Sequence, residues 1–155
     1  IKKNNVSIEH IAEKVSKKVR PICNNKNVEL VIKIQDEIPM IVADEDRIEQ
    51  VLINLVDNAI RYSAENTKVV IKVRPSGEGV IVSVKDSGPG IPQEELPFVW
   101  ERFYKVDKSR ERRKSGTGLG LAIVKKIVEL HKGRVWVQNC DEGGTEFSFF
   151  LPFKV

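Results

Sequence analysis

A single amphipathic repeat, spanning residues 44–62, limits what this chain can fold into more than any other segment. Its apolar side chains recur three and four positions apart, which is the spacing of a helix with one buried face: Ile48, Val51, Leu52, Leu55, Val56, Ala59 and Ile60. Asp44 suits the N-cap position, and acidic residues in the first turn suit the positive end of the helix dipole. The repeat therefore predicts a long helix that covers a hydrophobic core.

Alternation of apolar and polar residues predicts strands on both sides of this helix. The alternating segments are 28–34, 69–73, 80–84, 135–137 and 147–151, with a shorter extended piece at 41–42. Glycine-containing turns at 76–79 and 143–144 predict two hairpin connections.

Helical spacing predicts a helix at 8–22 that ends near Pro21. It predicts another at 119–131, with Gly133 as the residue that stops it. Short helices are predicted at 92–96 and 98–103. Because helices and strands mix without strict alternation, we expect an α/β two-layer sandwich. It would have a mixed sheet of about five strands, covered on one face by three main helices.

Length and charge fit one domain with a sizeable core, because the chain has 155 residues and a formal net charge of +4. Much of the positive charge lies in 105–114, which suits phosphate, nucleic acid, an acidic partner or simply a solvated loop. Cys23 and Cys140 lack metal-ligand spacing, so we expect free thiols in a reducing compartment. Apolar runs are too short to span a bilayer, and a start at Ile1 suggests a piece of a longer protein.

Polar side chains form a narrow stripe along the edge of the predicted 44–62 helix. The stripe contains Arg47, Asn54, Asn58 and Arg61, with Tyr62 between it and the apolar face. An asparagine offers an oxygen for Mg²⁺ and an NH₂ donor for phosphate, an arginine offers a phosphate fork, and a tyrosine ring can cover a base. The alternative is that the two asparagines are satisfied locally on an ordinary helix.

Asp86 follows a predicted strand and precedes a glycine turn at 88–90. A carboxylate only accepts hydrogen bonds, so it can select the exocyclic amine of adenine and reject the carbonyl of guanine. Alternatively, it satisfies backbone N–H groups of its own turn. Thr145, after the Gly143–Gly144 turn, could position a water beside this carboxylate.

A glycine-rich segment, 116–121, runs directly into the predicted 119–131 helix. Glycines at a helix start let backbone N–H groups approach an anion, which the helix dipole also favours. The segment has neither the Lys-Ser/Thr of a Walker A loop nor the G-x-G-x-x-G spacing of a dinucleotide fingerprint. The charged loop before it fits a lid over a triphosphate.

Five segments in order, 54–62, 86–91, 100–104, 116–121 and 143–145, resemble the N, G1, F, G2 and G3 boxes of the catalytic ATP-binding domain of sensor histidine kinases. That domain belongs to the GHKL superfamily, with the Hsp90, gyrase B and MutL ATPases. The resemblance implies a Bergerat fold with a mobile ATP lid. It implies one catalytic domain over 1–155, in which 1–26 leads in from a missing dimerisation domain and 104–117 forms the lid.

The resemblance also implies ATP and Mg²⁺ as cofactors, with Asn58 as the metal ligand. Asn54 would contact phosphate or the metal shell, Arg61 would contact phosphate, and Lys105 falls where the family often has an arginine that touches the γ-phosphate. These four residues form the implied catalytic set. The implied nucleotide-binding set adds Tyr62, Asp86, Gly88, Gly90, Ile91, Tyr104, Thr117, Gly118, Leu119, Gly120, Leu121 and Thr145. Trp100 replaces the usual first Phe of the F box.

Phosphotransfer to histidine fits these residues better than hydrolysis, because Hsp90-type ATPases carry a water-activating Glu where this chain has Asn54. Neither His10 nor His131 lies in the family's acceptor context. We expect His10 to be a helix-surface residue and His131 to be a cap near a helix C-terminus. The resemblance therefore implies an acceptor on a separate dimerisation domain, and a response regulator as a further partner. It implies no nucleic acid, no direct membrane contact, and a cytoplasmic position within a membrane-anchored sensor.

Two alternatives remain open from the sequence. One is a nucleotide-gated regulatory module of a phosphatase-biased or degenerate sensor kinase, in which ATP holds a conformation and no transfer occurs. The other is an anti-sigma-type serine kinase, which ranks lower because that class usually has Glu at the position of Asn54.

Overall fold

Helices and strands mix along the chain much as their spacing predicts. The computed structural model describes residues 1–104 and 120–154. Its elements are β1 (Asn4–Val6), α1 (Ile8–Lys26), β2 (Glu29–Ile34), β3 (Ile41–Ala43), α2 (Glu45–Tyr62), β4 (Lys68–Ser76), β5 (Gly79–Lys85), a 3₁₀ helix (Gln93–Phe98), α3 (Gly120–Leu130), β6 (Arg134–Asn139) and β7 (Thr145–Pro152).

The main sheet has five strands in the order β2-β4-β5-β7-β6. Strands β2 and β4 are parallel, whereas the other neighbours are antiparallel. The sheet is therefore mixed, as predicted. Strand β1, which the sequence analysis missed, pairs with β3 in a separate antiparallel ribbon, because three residues are too few to show a period.

The core lies between one face of this sheet and the helices. Alternate apolar side chains of β4, β5 and β7, including Ile71, Val82 and Phe149, join the apolar faces of α1, α2 and α3 in one buried cluster. On the opposite face of the sheet, Lys72 and Arg74 of β4 are exposed, whereas Ile81 and Ser83 of β5 are buried. This arrangement confirms the predicted two-layer α/β sandwich.

Helix α1 does not end near Pro21, so that boundary prediction was wrong. The helix continues to Lys26 and closes at Asn27, whose φ of 59° is left-handed. The buried face that begins at Ile8 extends to Cys23, beyond the proline. Tertiary packing therefore outweighs the single backbone hydrogen bond that a proline removes.

The short helix predicted at 98–103 was also wrong. A 3₁₀ helix covers Gln93–Phe98, and separate turns follow it. The amide of Glu101 bonds the carbonyl of Phe98, and the amide of Tyr104 bonds that of Glu101. Phe103 has a left-handed φ of 63°, which a continuing right-handed helix excludes.

The residue that ends α3 is not the one that the sequence predicts. Lys132, not Gly133, adopts the left-handed conformation, with φ of 63°. Gly133 donates its N–H to the carbonyl of Val128 at 3.0 Å. A Cβ at Gly133 would lie 1.9 Å from the carbonyl oxygen of Phe150, so the glycine allows the chain to pass close to β7.

Both cysteines are free thiols, as expected, and burial raises the pKa of each. Across the described ranges, no helix has an apolar stretch long enough to cross a bilayer.

Candidate nucleotide-binding site

Helix α2, which carries the polar stripe, is fastened at both ends. At its start, Asp44 Oδ1 accepts a hydrogen bond from the amide of Arg47 at 3.3 Å, as predicted for an N-cap. At its end, Lys26 Nζ donates to the carbonyls of Ile60 and Arg61 at 3.0 and 2.5 Å. These contacts hold the helix that presents the stripe.

The stripe meets the start of α3. Asn54 Nδ2 donates to the carbonyl of Gly120 at 3.3 Å, across 66 positions of sequence. The Asn54 amide thus bonds another helix rather than its own. Asn58 is half-buried, and the described ranges offer its side chain no hydrogen-bond partner.

Arg61 and Tyr62 complete the stripe and are also half-buried. Arg61 Nε lies 3.1 Å from Asp57 Oδ2, one turn earlier on the same helix. The guanidinium is therefore already held beside a carboxylate at the edge of the site.

Asp86 follows β5 and is buried, with 3% of its surface exposed. Its Oδ1 accepts hydrogen bonds from the amide of Gly88 at 2.9 Å and from the amide of Thr145 at 3.0 Å. The first bond is the local turn that the alternative interpretation requires. The second comes from β7, so the carboxylate is also oriented by a distant strand.

Two glycines let these segments approach each other. A Cβ at Gly144, whose φ is 84°, would lie 2.2 Å from the carbonyl oxygen of Asp86. A Cβ at Gly88 would lie 2.5 Å from the carbonyl oxygen of Tyr62. The loop after β5 is thus pressed between the end of α2 and the start of β7.

Asn139 is a structural contributor that the sequence analysis missed. Its Oδ1 accepts from the amide of Ile91 at 2.9 Å, and its Nδ2 donates to the carbonyl of Ile91 at 2.7 Å. The hydroxyl of Thr145 donates to the same Oδ1 at 3.3 Å. The Thr145 hydroxyl therefore meets Asn139, while its backbone amide meets Asp86. Gly90, with φ of 86°, completes the loop that Asn139 holds.

Tyr104 and Trp100 lie in the segment that resembles the F box. The Tyr104 hydroxyl donates to Glu95, and this hydrogen bond raises the pKa of Tyr104 to about 12. Its ring lies 6.0 Å from that of Phe98. Trp100 packs edge-on against Phe147 at 5.5 Å, so its aromatic ring packs against the core.

Four predicted site residues lie outside the described ranges: Lys105, Thr117, Gly118 and Leu119. Gly120 and Leu121 form the first turn of α3 and are half-buried. Within the ranges that the structure describes, no three His, Cys, Asp or Glu side chains cluster to hold a metal. The amide oxygens of the stripe, above all that of Asn58, fit the oxygen preference of Mg²⁺.

The chain resembles known proteins across this site and beyond it. Residues 43–155 match the family described as histidine kinase-, DNA gyrase B-, and HSP90-like ATPase. The sensor histidine kinase WalK of Bacillus subtilis is 42% identical over 131 residues, which cover 83% of this chain and 21% of WalK. The chain thus spans about a fifth of that relative's length.

Solved structures agree in fold over nearly the whole chain. A nucleotide-free catalytic domain of histidine kinase ThkA has a TM-score of 0.88 at 32% identity, and the match covers 100% of this chain and 100% of that one. Full-length ShkA in complex with AMPPNP has a TM-score of 0.86 at 31% identity, covering 99% of this chain and 31% of ShkA. ThkA in complex with the response regulator TrrA has a TM-score of 0.80 at 31% identity, covering 98% of this chain and 41% of that one.

Proposed function

Because this chain belongs to the family of histidine kinase-, DNA gyrase B-, and HSP90-like ATPases, we propose that it binds Mg·ATP and passes the γ-phosphoryl group to a histidine on a separate dimerisation domain. The observation that carries the proposal is the buried carboxylate of Asp86, oriented by amides of Gly88 and Thr145. An acceptor-only group fixed in this way suits a base that presents an amine.

Asp86 is assigned to the adenine amine, because guanine would present a carbonyl to the same carboxylate. Tyr62, Ile91 and Tyr104 would line the base, with Gly88 and Gly90 shaping the loop beside it. The two backbone amides on Oδ1 keep the carboxylate in one orientation before the base arrives. Selection of adenine would then need little rearrangement.

The triphosphate is assigned to the stripe and to the start of α3. Asn58 would hold Mg²⁺, which neutralises phosphate charge when bound. Asn54, which already bonds the Gly120 carbonyl, would keep the metal and phosphate shell beside the helix N-terminus. Arg61 and Lys105 would offset negative charge on the phosphates. Backbone N–H groups of 117–121 would bind the phosphates directly.

The side chains of the candidate site support transfer rather than hydrolysis. An asparagine cannot take a proton from water at neutral pH, whereas an imidazole acceptor is largely neutral and needs no strong base. Catalysis would then rest on positioning and on charge around the γ-phosphoryl.

An external acceptor is the better match to the two histidines of this chain. His131 is 1% exposed and both ring nitrogens are engaged, by the amide of Asp44 and the carbonyl of Ile127. His10 is exposed on α1 but lacks the acceptor context. We assign 1–26 to the approach from a dimerisation domain and 104–117 to the ATP lid. A response regulator would receive the phosphoryl group downstream, on the cytoplasmic side and without direct membrane contact by this domain.

One reconstitution tests the transfer. The chain is mixed with Mg·ATP and with the dimerisation domain of its own parent protein, and acid-labile phosphate on histidine is measured. Phosphohistidine that requires both components is expected. Full nucleotide binding without phosphohistidine would contradict the transfer and favour a nucleotide-gated regulatory module.

A further inference from the structure

His131 joins the two helices that flank the candidate triphosphate site. Its Nε2 lies 3.0 Å from the backbone nitrogen of Asp44, at the start of α2. Its Nδ1 lies 2.8 Å from the carbonyl oxygen of Ile127, in α3. A backbone amide only donates and a carbonyl only accepts, so Nδ1 carries the proton and Nε2 accepts. The ring is 1% exposed.

A second hydrogen bond joins the middle of α2 to the start of α3, from Asn54 Nδ2 to the Gly120 carbonyl. Asn54 lies ten residues after Asp44, and Gly120 lies eleven before His131, so α2 and α3 run antiparallel between the two links. At about 1.5 Å per residue, both helices advance roughly 15–17 Å between them. The two links therefore fit a single axial register of α3 along α2.

Apolar packing sets such a register through the shapes of side chains and not through directional bonds. The buried side chains of α3 are Val124, Ile127 and Val128, and dispersion between aliphatic groups is non-directional. A buried hydrogen bond is directional, and its loss leaves a polar group unsatisfied. The imidazole is thus suited to hold α3 at the position where Gly120 meets Asn54.

We propose that His131 is a positioning residue of the nucleotide site, acting through the hydrogen bond from the Asp44 amide to its Nε2. It fixes α3 against α2, so that the helix start and the asparagine stripe face the same phosphates. The inference rests on the proposed function for its effect on nucleotide binding. Its effect on the register of the helices stands apart from that function.

Two substitutions of similar polarity test the roles of Nε2 and Nδ1 of His131 separately. In His131→Gln the amide oxygen reaches the position of Nε2 and can accept from Asp44. In His131→Asn the shorter amide can occupy only the position of Nδ1, so the link to Asp44 is lost. His10→Asn, on the exposed side of α1, is the matched control.

Affinity for a non-hydrolysable ATP analogue with Mg²⁺ is measured by calorimetry, at a temperature where each variant is folded. We expect His131→Gln and the control to stay within about threefold of the unsubstituted chain, and His131→Asn to bind about tenfold more weakly. A merely structural role would lower the melting temperature of His131→Asn but leave the affinity of its folded form unchanged. That result would overturn the proposal.

Nuclear magnetic resonance without nucleotide tests the register itself. The Asn54 side-chain NH₂ resonances should shift in His131→Asn and stay in place in His131→Gln, and the ring of His131 should carry its proton on Nδ1. A ring protonated on Nε2, or Asn54 resonances that move in the Gln variant, would overturn the proposal even if His131→Asn failed to fold. If the unsubstituted chain bound no nucleotide, the proposed function would fail while these resonances still decided the register.

Discussion

Two backbone amides orient the carboxylate of Asp86, and an asparagine could accept the same two hydrogen bonds through its Oδ1. The substitution Asp86→Asn therefore changes the chemistry that faces a base while keeping the local turn. We expect affinity for Mg·ATP to fall by about 2–4 kcal/mol, because the new NH₂ would face adenine's amine and a charged hydrogen bond is lost.

Calorimetry of Asp86→Asn measures this loss, with the exposed Asp141→Asn as the matched control. The control should bind like the unsubstituted chain, and both variants should keep the unsubstituted melting temperature to within a few degrees. Unchanged affinity in Asp86→Asn would remove the adenine assignment.

Asn58 gives a second prediction at this scale. Its side chain is half-buried and lacks a hydrogen-bond partner in the described part of the chain, so Asn58→Ala should leave the fold intact. We expect the Mg²⁺-dependent part of nucleotide affinity to weaken by about tenfold, because the proposed metal site would lose one ligand oxygen. Titrations with Mg²⁺ and with EDTA separate the two parts, and Gln50→Ala on the same helix is the control. A loss of equal size in EDTA would contradict a metal-ligand role.

Single residues of the site differ in how far their sequence reveals them. Asp86 and Asn54 could be proposed from the sequence because a carboxylate or amide in a recognisable segment has few roles. Asn139 could not, since its side chain takes the place of a neighbouring strand and bonds the N–H and C=O of Ile91 across 48 positions. Such a pairing exists only once β6 and the loop after β5 lie side by side.

Between elements, α1 and α2 are joined by an ion-pair cluster around Glu49. This carboxylate is 8% exposed and contacts Lys18 and, at 3.0 Å, Lys14. The hydrogen bond from Lys18 lowers the pKa of Glu49, and the hydrogen bonds to Glu45 and Glu49 raise the pKa of Lys14 to about 12. The cluster therefore stabilises the helix pair while Glu49 is ionised.

The substitution Glu49→Gln should lower the free energy of unfolding by about 1 kcal/mol at neutral pH. A carboxylate whose folded pKa is depressed contributes stability above its unfolded pKa, near 4.5, and loses it as pH falls through the lower folded value. The difference between the two proteins should therefore shrink as pH is lowered from 7 towards 3. Urea unfolding at several pH values measures it, with the exposed Glu13→Gln as control. A difference independent of pH would refute the role of ionisation.

The interiors of the elements could be predicted from periodicity, but several ends could not. The apolar face of α2 and the alternating apolar residues of β4 could be predicted because each belongs to a face that must be buried. The end of α1 was predicted wrongly because a helix with a continuing buried face tolerates a proline such as Pro21. The turns after Phe98 were missed because their local hydrogen bonds leave no periodic pattern in the sequence. The ends of helices and strands depend on contacts with segments that are distant in the sequence.

For the whole molecule, nucleotide binding and stability should be linked. A ligand that binds only the folded chain stabilises it by about 2.7 kcal/mol at one hundred times its dissociation constant. We expect Mg·ATP to raise the melting temperature and Mg·GTP at the same concentration to leave it nearly unchanged, because Asp86 would repel the guanine carbonyl. Thermal unfolding with each nucleotide measures this. Equal stabilisation by both nucleotides would contradict base selection by Asp86, and Asp86→Asn should abolish the difference.

The class of the whole fold could be predicted, whereas the order of its strands could not. Counting alternating segments gives five strands, but nothing in the alternation says that β2 lies parallel to β4 at one edge or that β7 separates β5 from β6. The extended piece at 41–42 was predicted, but its pairing with β1 was missed because the three residues of β1 are too few to show a pattern.

Gly144 has a consequence for how far this protein can change. Any side chain there would push on the main chain that carries Asp86, 2.2 Å from where its first carbon would lie. The turn into the last strand and the aim of the carboxylate therefore cannot be adjusted separately. If Asp86 selects adenine as proposed, a change of base preference would require a substitution of Asp86 itself while Gly144 stays glycine.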